Sequence, residues 1–177
     1  MHINFEFKAK TNNINELEQL LMNHNPVFKG EDHQVDTYFN VNKGRLKMRE
    51  GNIENSLIYY ERPDTTGPKQ SDVLLYELSS AKVLKEILKR VHGIKVIVDK
   101  KRKIYFIDNV KFHFDSVKDL GSFVEVEAID ITGNLGIEMI TKQCNYYANI
   151  FGIKQEDYIG MSYSDLIVLN SQPTNNN

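Results

Sequence analysis

Asn4-Phe5-Glu6-Phe7-Lys8 alternates polar and aromatic residues at every step. In an extended strand, side chains i and i+2 share a face. Glu6 and Lys8 therefore lie on one side and Phe5 and Phe7 on the other. Three more stretches repeat the arrangement: Arg45-Leu46-Lys47-Met48-Arg49, Lys111-Phe112-His113-Phe114-Asp115 and Phe123-Val124-Glu125-Val126-Glu127. An ordinary half-buried sheet turns polar residues to water and needs no order among them. Here bases and acids are segregated by strand, with Lys47 and Arg49 on one and Glu125 and Glu127 on another. That suits a metal-bound polyphosphate better than bulk water.

The same alternation organises the rest of the chain. Strands are expected over residues 2–9, 34–41, 45–50, 56–62, 73–78, 94–107, 110–117 and 122–130. Asn42-Lys43-Gly44, Gly51-Asn52, Asp108-Asn109 and Asp119-Leu120-Gly121 supply turns, and Pro63 to Asp72 is a loop by composition. A first helix, capped by Asn12 or Asn13, runs to about residue 23 with Ile14, Leu17, Leu20 and Leu21 on one face. Glu16, three residues after Asn13, fits a capping box. A second follows Ser79 or Ser80, with Ala81, Leu84, Ile87, Leu88 and Val91 forming its apolar face and Gly93 ending it. A third covers about 133–151, and a short one lies near 162–168. The expected fold is α+β: an eight-stranded antiparallel closed β-barrel, its charged face inward, with amphipathic helices packed outside. It forms a single domain over 1–169, followed by a polar, disordered tail over 170–177.

Composition narrows the function. The chain has 177 residues, 41% of them hydrophobic, and a formal net charge of −2. One sizeable core is affordable in a chain of this length, and there is no basic excess for general nucleic-acid binding. The single Cys144 excludes an intrachain disulfide and fits a reducing compartment. No signal peptide or membrane span is visible, so a cytoplasmic protein is expected.

On the charged faces, the acids are Glu6, Asp115, Glu125 and Glu127, and the bases are Lys8, Arg45, Lys47, Arg49, Lys100 and Arg102. Carboxylates are hard ligands suited to Mg²⁺ or Mn²⁺, while Lys and Arg suit phosphate oxygens. Each strand alone would read as a solvated face; the joint pattern over four strands points to a cradle for a divalent cation and a polyphosphate. His113 shares a face with Asp115, either as a general base or as a hydrogen-bonded interior residue. Arg62 shares a face with Tyr60, with Glu61 opposite, and is a further phosphate-binding candidate.

In combination and order these stretches resemble the CYTH group, named for class IV adenylate cyclases and thiamine triphosphatases and belonging to the triphosphate tunnel metalloenzymes. The similarity is carried by Phe5-Glu6-Phe7-Lys8, by Gln34-Val35-Asp36-Thr37-Tyr38-Phe39, and by Gly44 to Glu50. Leu57 to Pro63, Lys100-Lys101-Arg102, Phe114 to Val117, Leu120 to Glu127 and Ser162 to Ile167 continue it. The resemblance implies an eight-stranded tunnel with a triphosphate inside. It implies that Glu6, Asp115, Glu125 and Glu127 coordinate Mg²⁺ or Mn²⁺. Lys8, Lys47, Arg49 and Arg102 would hold phosphates, with Arg45, Arg62 and Lys100 in support, and Glu6, Lys8, Arg49 and Arg102 would form the catalytic set. One position departs: the family signature Glu-x-Glu-x-Lys has Asn4 at its first place. Asn keeps an oxygen and loses a charge.

The wording of Gln34 to Phe39 and of Leu57 to Pro63 is most similar to the class IV cyclase branch, which converts ATP to cyclic AMP and pyrophosphate. The alternative is a triphosphatase acting on inorganic triphosphate, thiamine triphosphate or a nucleoside triphosphate. A second alternative, prompted by Asn4, is a weakly active polyphosphate-binding module. The expected partners are a nucleotide or other triphosphate and, for assembly, a second copy in a homodimer, with no nucleic acid and no membrane.

Overall fold

The computed structural model describes residues 2–171. Eight strands close into an antiparallel barrel in the order β1-β5-β4-β3-β2-β6-β7-β8. They are β1 (His2–Lys10), β2 (Val27–Phe39), β3 (Arg45–Glu50), β4 (Ser56–Glu61), β5 (Lys69–Glu77), β6 (Ile94–Ile107), β7 (Val110–Val117) and β8 (Gly121–Asp130). The helices are α1 (Ile14–Met22), α2 (Lys82–His92), α3 (Ile137–Ile150) and α4 (Tyr163–Ser171), with one 3₁₀ turn over Gln155–Asp157. Closure removes the unpaired edges that an open sheet would expose. Among the described residues no helix is long and apolar enough to cross a membrane.

The alternation holds. Phe7, Ala9, Phe112, Phe114, Val124, Val126 and Ala128 point outward and are buried under Leu17 and Leu21 of α1 and under Ile140, Cys144, Tyr147 and Ala148 of α3. Phe112 meets the Tyr147 ring edge-on at 4.6 Å, a favoured geometry for aromatic pairs. Burying each such side chain contributes about 1.5–3 kcal/mol, so stability resides mainly outside the barrel and the interior is released for charge.

Several expectations are corrected. β2 starts at Val27 rather than at residue 34, because the long β6 supplies pairing partners as far as Phe106. β5 starts at Lys69, since residues 69–72 pair with β1 across Glu6 to Ile3. The side chain of Asn13 makes no capping hydrogen bond. α2 buries none of its residues: Ile87 is 51% and Val91 70% exposed. A single Gly93, at φ +70°, joins α2 to β6. The interior is only partly polar, because Tyr38, Ile58, Tyr60, Val73, Val98, Val117 and Phe123 form a second apolar group that includes Tyr163 of α4. Asn170 and Ser171, expected in the tail, complete α4; the rest of that tail lies outside the described residues.

Candidate functional site

The barrel encloses a cavity of about 670 Å³, within the range of small-molecule sites. Glu6 and Lys8 of β1, Lys47 and Arg49 of β3, Arg62 beyond β4, Lys100 and Arg102 of β6, and Glu125 and Glu127 of β8 all line it. Register brings the acids together: Glu6 faces Glu127 across the β1–β8 ladder, and Lys8 faces Glu125. His113 faces Glu125 from β7.

Two ion-pair systems fill the interior. In the first, Asp36 of β2 accepts from Arg49 Nε at 2.8 Å and Nη2 at 3.0 Å. It also accepts from Lys100 Nζ at 2.6 Å and Lys47 Nζ at 3.0 Å. Burial alone would raise the Asp36 pKa, but Arg49, Lys100 and Lys47 together hold it well below the usual carboxylate range. Arg49 also reaches Glu54 at 2.8 Å, and Lys111 pairs with the other oxygen of Glu54. In the second system, Arg102 donates to Asp115 at 2.6 Å and to Glu125 at 2.6 Å. Glu125 is 3.2 Å from Lys8 Nζ, and Arg62 pairs with Glu6. Burial opposes ionisation of Glu125, and Arg102 with Lys8 overcomes it, leaving its pKa well below normal.

Lys100, Lys8 and Glu127 are shifted toward neutrality. Burial pulls Lys100 down to about 7 against the pull of Asp36, and Lys8 down to about 8 against Glu125. Burial, followed by the facing Glu6, pushes Glu127 up to about 7. His113 is driven down to about 3 by burial and by Arg102. Its Nδ1 lies 3.3 Å from Glu125, and its buried Nε2 has no partner among the described residues. It is a neutral interior histidine, poorly matched to general base work at neutral pH.

Two predicted site residues fall elsewhere. Arg45 lies at the rim, bound to Asp64 at 2.6 Å and Asp165 at 2.8 Å. It has the same strand parity as Lys47, but those acids of the 62–68 loop and α4 draw it to the barrel end. Asp115 does not line the cavity: Arg102 and the Tyr163 hydroxyl, at 2.8 Å, engage its carboxylate. Its place opposite Arg102 in the β6–β7 register makes it an orienting residue for that guanidinium. Conversely, Asp36, Glu54 and Lys111 were not among the predicted site residues. Strand parity with Tyr38 and with His113 signals Asp36 and Lys111. Glu54 stands in a turn, fixed there by Asp32, which accepts the backbone N–H groups of Ile53 and Glu54 at 2.9 and 3.0 Å.

The donor set fits a hard divalent cation. Glu6, Glu125 and Glu127 supply carboxylate oxygens, and the buried Asn4 Oδ1 has no partner among the described residues. Asn4 Nδ2 donates to Glu127, so the amide keeps the Glu127 carboxyl on the tunnel wall. Each carboxylate is turned toward a base or an amide. Among the described residues, no three His, Cys, Asp or Glu side chains gather about one point.

The fold recurs in solved structures. The PH1012 protein of Pyrococcus horikoshii OT3 matches with a TM-score of 0.80 and 26% identity over 94% of this chain and 99% of its own. An adenylate cyclase candidate from Vibrio parahaemolyticus matches at 0.75 and 14% identity, over 94% and 98%. A Hippeastrum adenylyl cyclase candidate with a dominant triphosphatase activity matches at 0.61 and 15%, over 97% and 96%. At these last two identities the likeness concerns the fold alone. No curated protein matches the chain. A model of the CYTH domain matches residues 2–163, and the chain belongs to the CYTH domain family.

Proposed function

We propose that this protein is a metal-dependent enzyme acting on a triphosphate-containing substrate, and that its reaction is the cyclisation of ATP to cyclic AMP and pyrophosphate. The observation that carries the first part is the convergence of Lys8, Lys47, Arg49, Arg62, Lys100 and Arg102 on one cavity beside Glu6, Glu125 and Glu127. Asp36, which does not line the cavity, and Glu54, which does, hold several of these bases, and a phosphate chain would compete with them for those cations. The planar forks of Arg49 and Arg102, set by Asp36 and Asp115, suit bidentate phosphate contacts. Glu6, Glu125 and Glu127, with Asn4 Oδ1, would hold Mg²⁺ or Mn²⁺, which would supply charge stabilisation at the phosphoryl oxygens.

In cyclisation the ribose 3′-oxygen forms a bond to the α-phosphorus. The bond from that phosphorus to the α,β-bridging oxygen breaks and pyrophosphate leaves with its electron pair. The proton of the 3′-hydroxyl passes to water or to a base of the site. Prearranged guanidinium and ammonium groups stabilise the charge that builds on the leaving group.

A second reading is hydrolysis of a triphosphate in the same cradle, with a positioned water in place of the ribose oxygen. The Hippeastrum neighbour, with its dominant triphosphatase activity on the same fold, supports it. Incubation with ATP and Mg²⁺ or Mn²⁺, followed by nucleotide chromatography, separates the two. Cyclic AMP with pyrophosphate is expected; phosphate release with no cyclic AMP refutes the cyclase assignment.

A further inference from the structure

The closing stretch Met161-Ser162-Tyr163-Ser164-Asp165 leads into α4, and the cradle described above assigns it no part. Ser162 Oγ accepts the Asp165 backbone N–H at 3.2 Å and lies 2.6 Å from the Asp165 carboxylate, which caps the helix start. Asp165 is also bound by Arg45 at 2.8 Å and by Lys95 at 2.7 Å. Upstream, Ile159 N–H donates to Lys8 O at 2.9 Å, and Lys69 Nζ donates to Gly160 O at 2.7 Å. Position 163 is therefore pinned to the barrel from both sides, and the Tyr163 side chain is buried.

Tyr163 meets two cations of the cradle by two routes. Its hydroxyl, protonated at neutral pH, donates to Asp115 Oδ2 at 2.8 Å. Asp115 is fully buried, and among the described residues its only hydrogen-bond donors are Arg102 and Tyr163. Arg102 Nε donates to Oδ1 at 2.6 Å, and Arg102 Nη2 shares Oδ2 with the hydroxyl. The ring supplies the second route. Lys8 Nζ stands 3.8 Å from the ring centroid, a cation–π contact, and Phe123 packs on the same ring at 5.0 Å. Lys8 Nζ also reaches Met161 O at 3.4 Å and Glu125 at 3.2 Å, so two of its three partners belong to the closing stretch. A phenylalanine would fill the same space; only the hydroxyl explains a link to Asp115.

Resting on the polyphosphate reading above, we propose that Tyr163 is a positioning residue for phosphate binding. Through Asp115 it fixes the Arg102 guanidinium, and through its ring it holds Lys8, so that the start of α4 and the tunnel act as one binding unit. A bidentate phosphate contact needs the guanidinium plane set in advance. Without the hydroxyl the Asp115 carboxylate is held by Arg102 alone, and the freedom the pair gains has to be given up again when a ligand binds.

The test is calorimetric titration of inorganic triphosphate into the full chain and its variants, with EDTA present to stop metal-dependent turnover. Tyr163→Phe keeps the ring and removes only the hydroxyl; its Kd should rise about three- to tenfold, within the coupling range of residues in one network. Tyr163→Leu removes the ring as well and should bind more weakly still. In an Asp115→Asn background, Tyr163→Phe should add less than about twofold, because both changes cut the same route to Arg102. Phe123→Leu loosens the packing around Tyr163 without touching a polar group; it should lower the Tm and leave the affinity within about twofold of wild type. Unchanged affinity in Tyr163→Phe, additive losses in the double variant, or an equal loss in Phe123→Leu overturns the inference. The cradle survives any of these if Arg49→Ala still weakens binding. A wild type that binds no triphosphate overturns both.

Discussion

Replacing Asp36 by Asn tests whether the cradle is held open by an internal anion. Asp36 is buried and receives Arg49 twice, Lys100 and Lys47 at 2.6–3.0 Å. Arg49 retains Glu54, whereas Lys100 and Lys47 have no other carboxylate within salt-bridge distance among the described residues. Removing one partner of a buried pair typically costs about 3–5 kcal/mol, because the remaining charge stays desolvated. Part of that loss is relieved as Lys100, already drawn to about 7 by burial, gives up its proton more readily. For a chain of this size 1 kcal/mol corresponds to about 2–4 °C, so the ligand-free variant should melt roughly 6–20 °C lower. The cations left without Asp36 should then favour an anionic ligand. A ligand at 100 times its Kd adds about 2.7 kcal/mol, and inorganic triphosphate should raise the variant's Tm by more degrees than it raises the wild type's. Differential scanning fluorimetry with and without triphosphate measures both effects. Equal ligand-induced shifts in the two proteins would refute the reasoning, since Asp36 would then not be the group that a phosphate replaces.

Three further outcomes are expected. Glu127→Gln should abolish Mg²⁺- or Mn²⁺-dependent turnover yet melt about 0.4–4 °C higher at pH 8, since facing like charges cost about 0.2–1 kcal/mol. The raised pKa makes ionised Glu127 unfavourable above about 7, so this gain must shrink as the pH falls through that value. Thermal melts at pH 8 and pH 5 check it, and a variant less stable at both contradicts it. Lys100→Met should remove a pH dependence: between about 7 and 10.5 the unfolded chain holds a proton that folded Lys100 has lost, so wild-type stability gains on the variant as the pH rises. Parallel melting curves from pH 7 to pH 10 would exclude that shift. Asn4→Glu places a third carboxylate beside Glu127 and Glu6; it should lower the metal-free Tm and enlarge the stabilisation given by Mn²⁺. Slow wild-type turnover that this variant accelerates would revive the reading of a weakly active binding module.

Strand parity made most of the site legible. Glu6, Lys8, Lys47, Arg49, Arg102, Glu125 and Glu127 line the tunnel because a period of two leaves each only two faces to choose from, and the aromatic and aliphatic neighbours take the other. What parity cannot convey is distance along the strand. Lys47 and Arg45 share a face, yet one reaches Asp36 and the other the rim acids. Asp115 and Glu125 likewise share the inward side, and only the β6–β7 register puts Arg102 across Asp115. Asp36 is marked only by its parity with Tyr38, and the outward Thr37, as buried as its inward neighbours, blurs that signal. The first half of β2, around Lys29-Gly30-Glu31-Asp32, has no apolar signal and is a strand because β6 pairs with it. The amphipathic pattern of α2 forecast burial, whereas the helix buries none of its residues.

The same division explains how a chain of modest hydrophobicity keeps so many charges out of water. A buried ion pair seldom contributes net stability, since desolvation offsets its attraction. The interior therefore has to be self-neutralising and the stability must come from elsewhere. The outward faces of β1, β7 and β8 under α1 and α3 provide it, with Phe7, Phe112, Val124 and Ile140 all buried. Inside, Asp36, Glu54 and Asp115 each hold at least one cation of the tunnel or its mouth. Glu54 contacts Arg49 and Lys111 from the cavity wall, and Asp36, which does not line the cavity, holds the flexible Lys47 and Lys100 together with Arg49; an incoming phosphate chain competes with both acids for these cations. Asp115 lies behind Arg102 and is left in place by such a ligand. Binding then exchanges Asp36 and Glu54 contacts for phosphate contacts, while Asp115 keeps the Arg102 guanidinium aimed. On this view the internal acids have two separable duties, occupation and aim. Weakened stability with strengthened triphosphate binding should follow loss of the first at Asp36, and weakened affinity should follow loss of the second at Asp115.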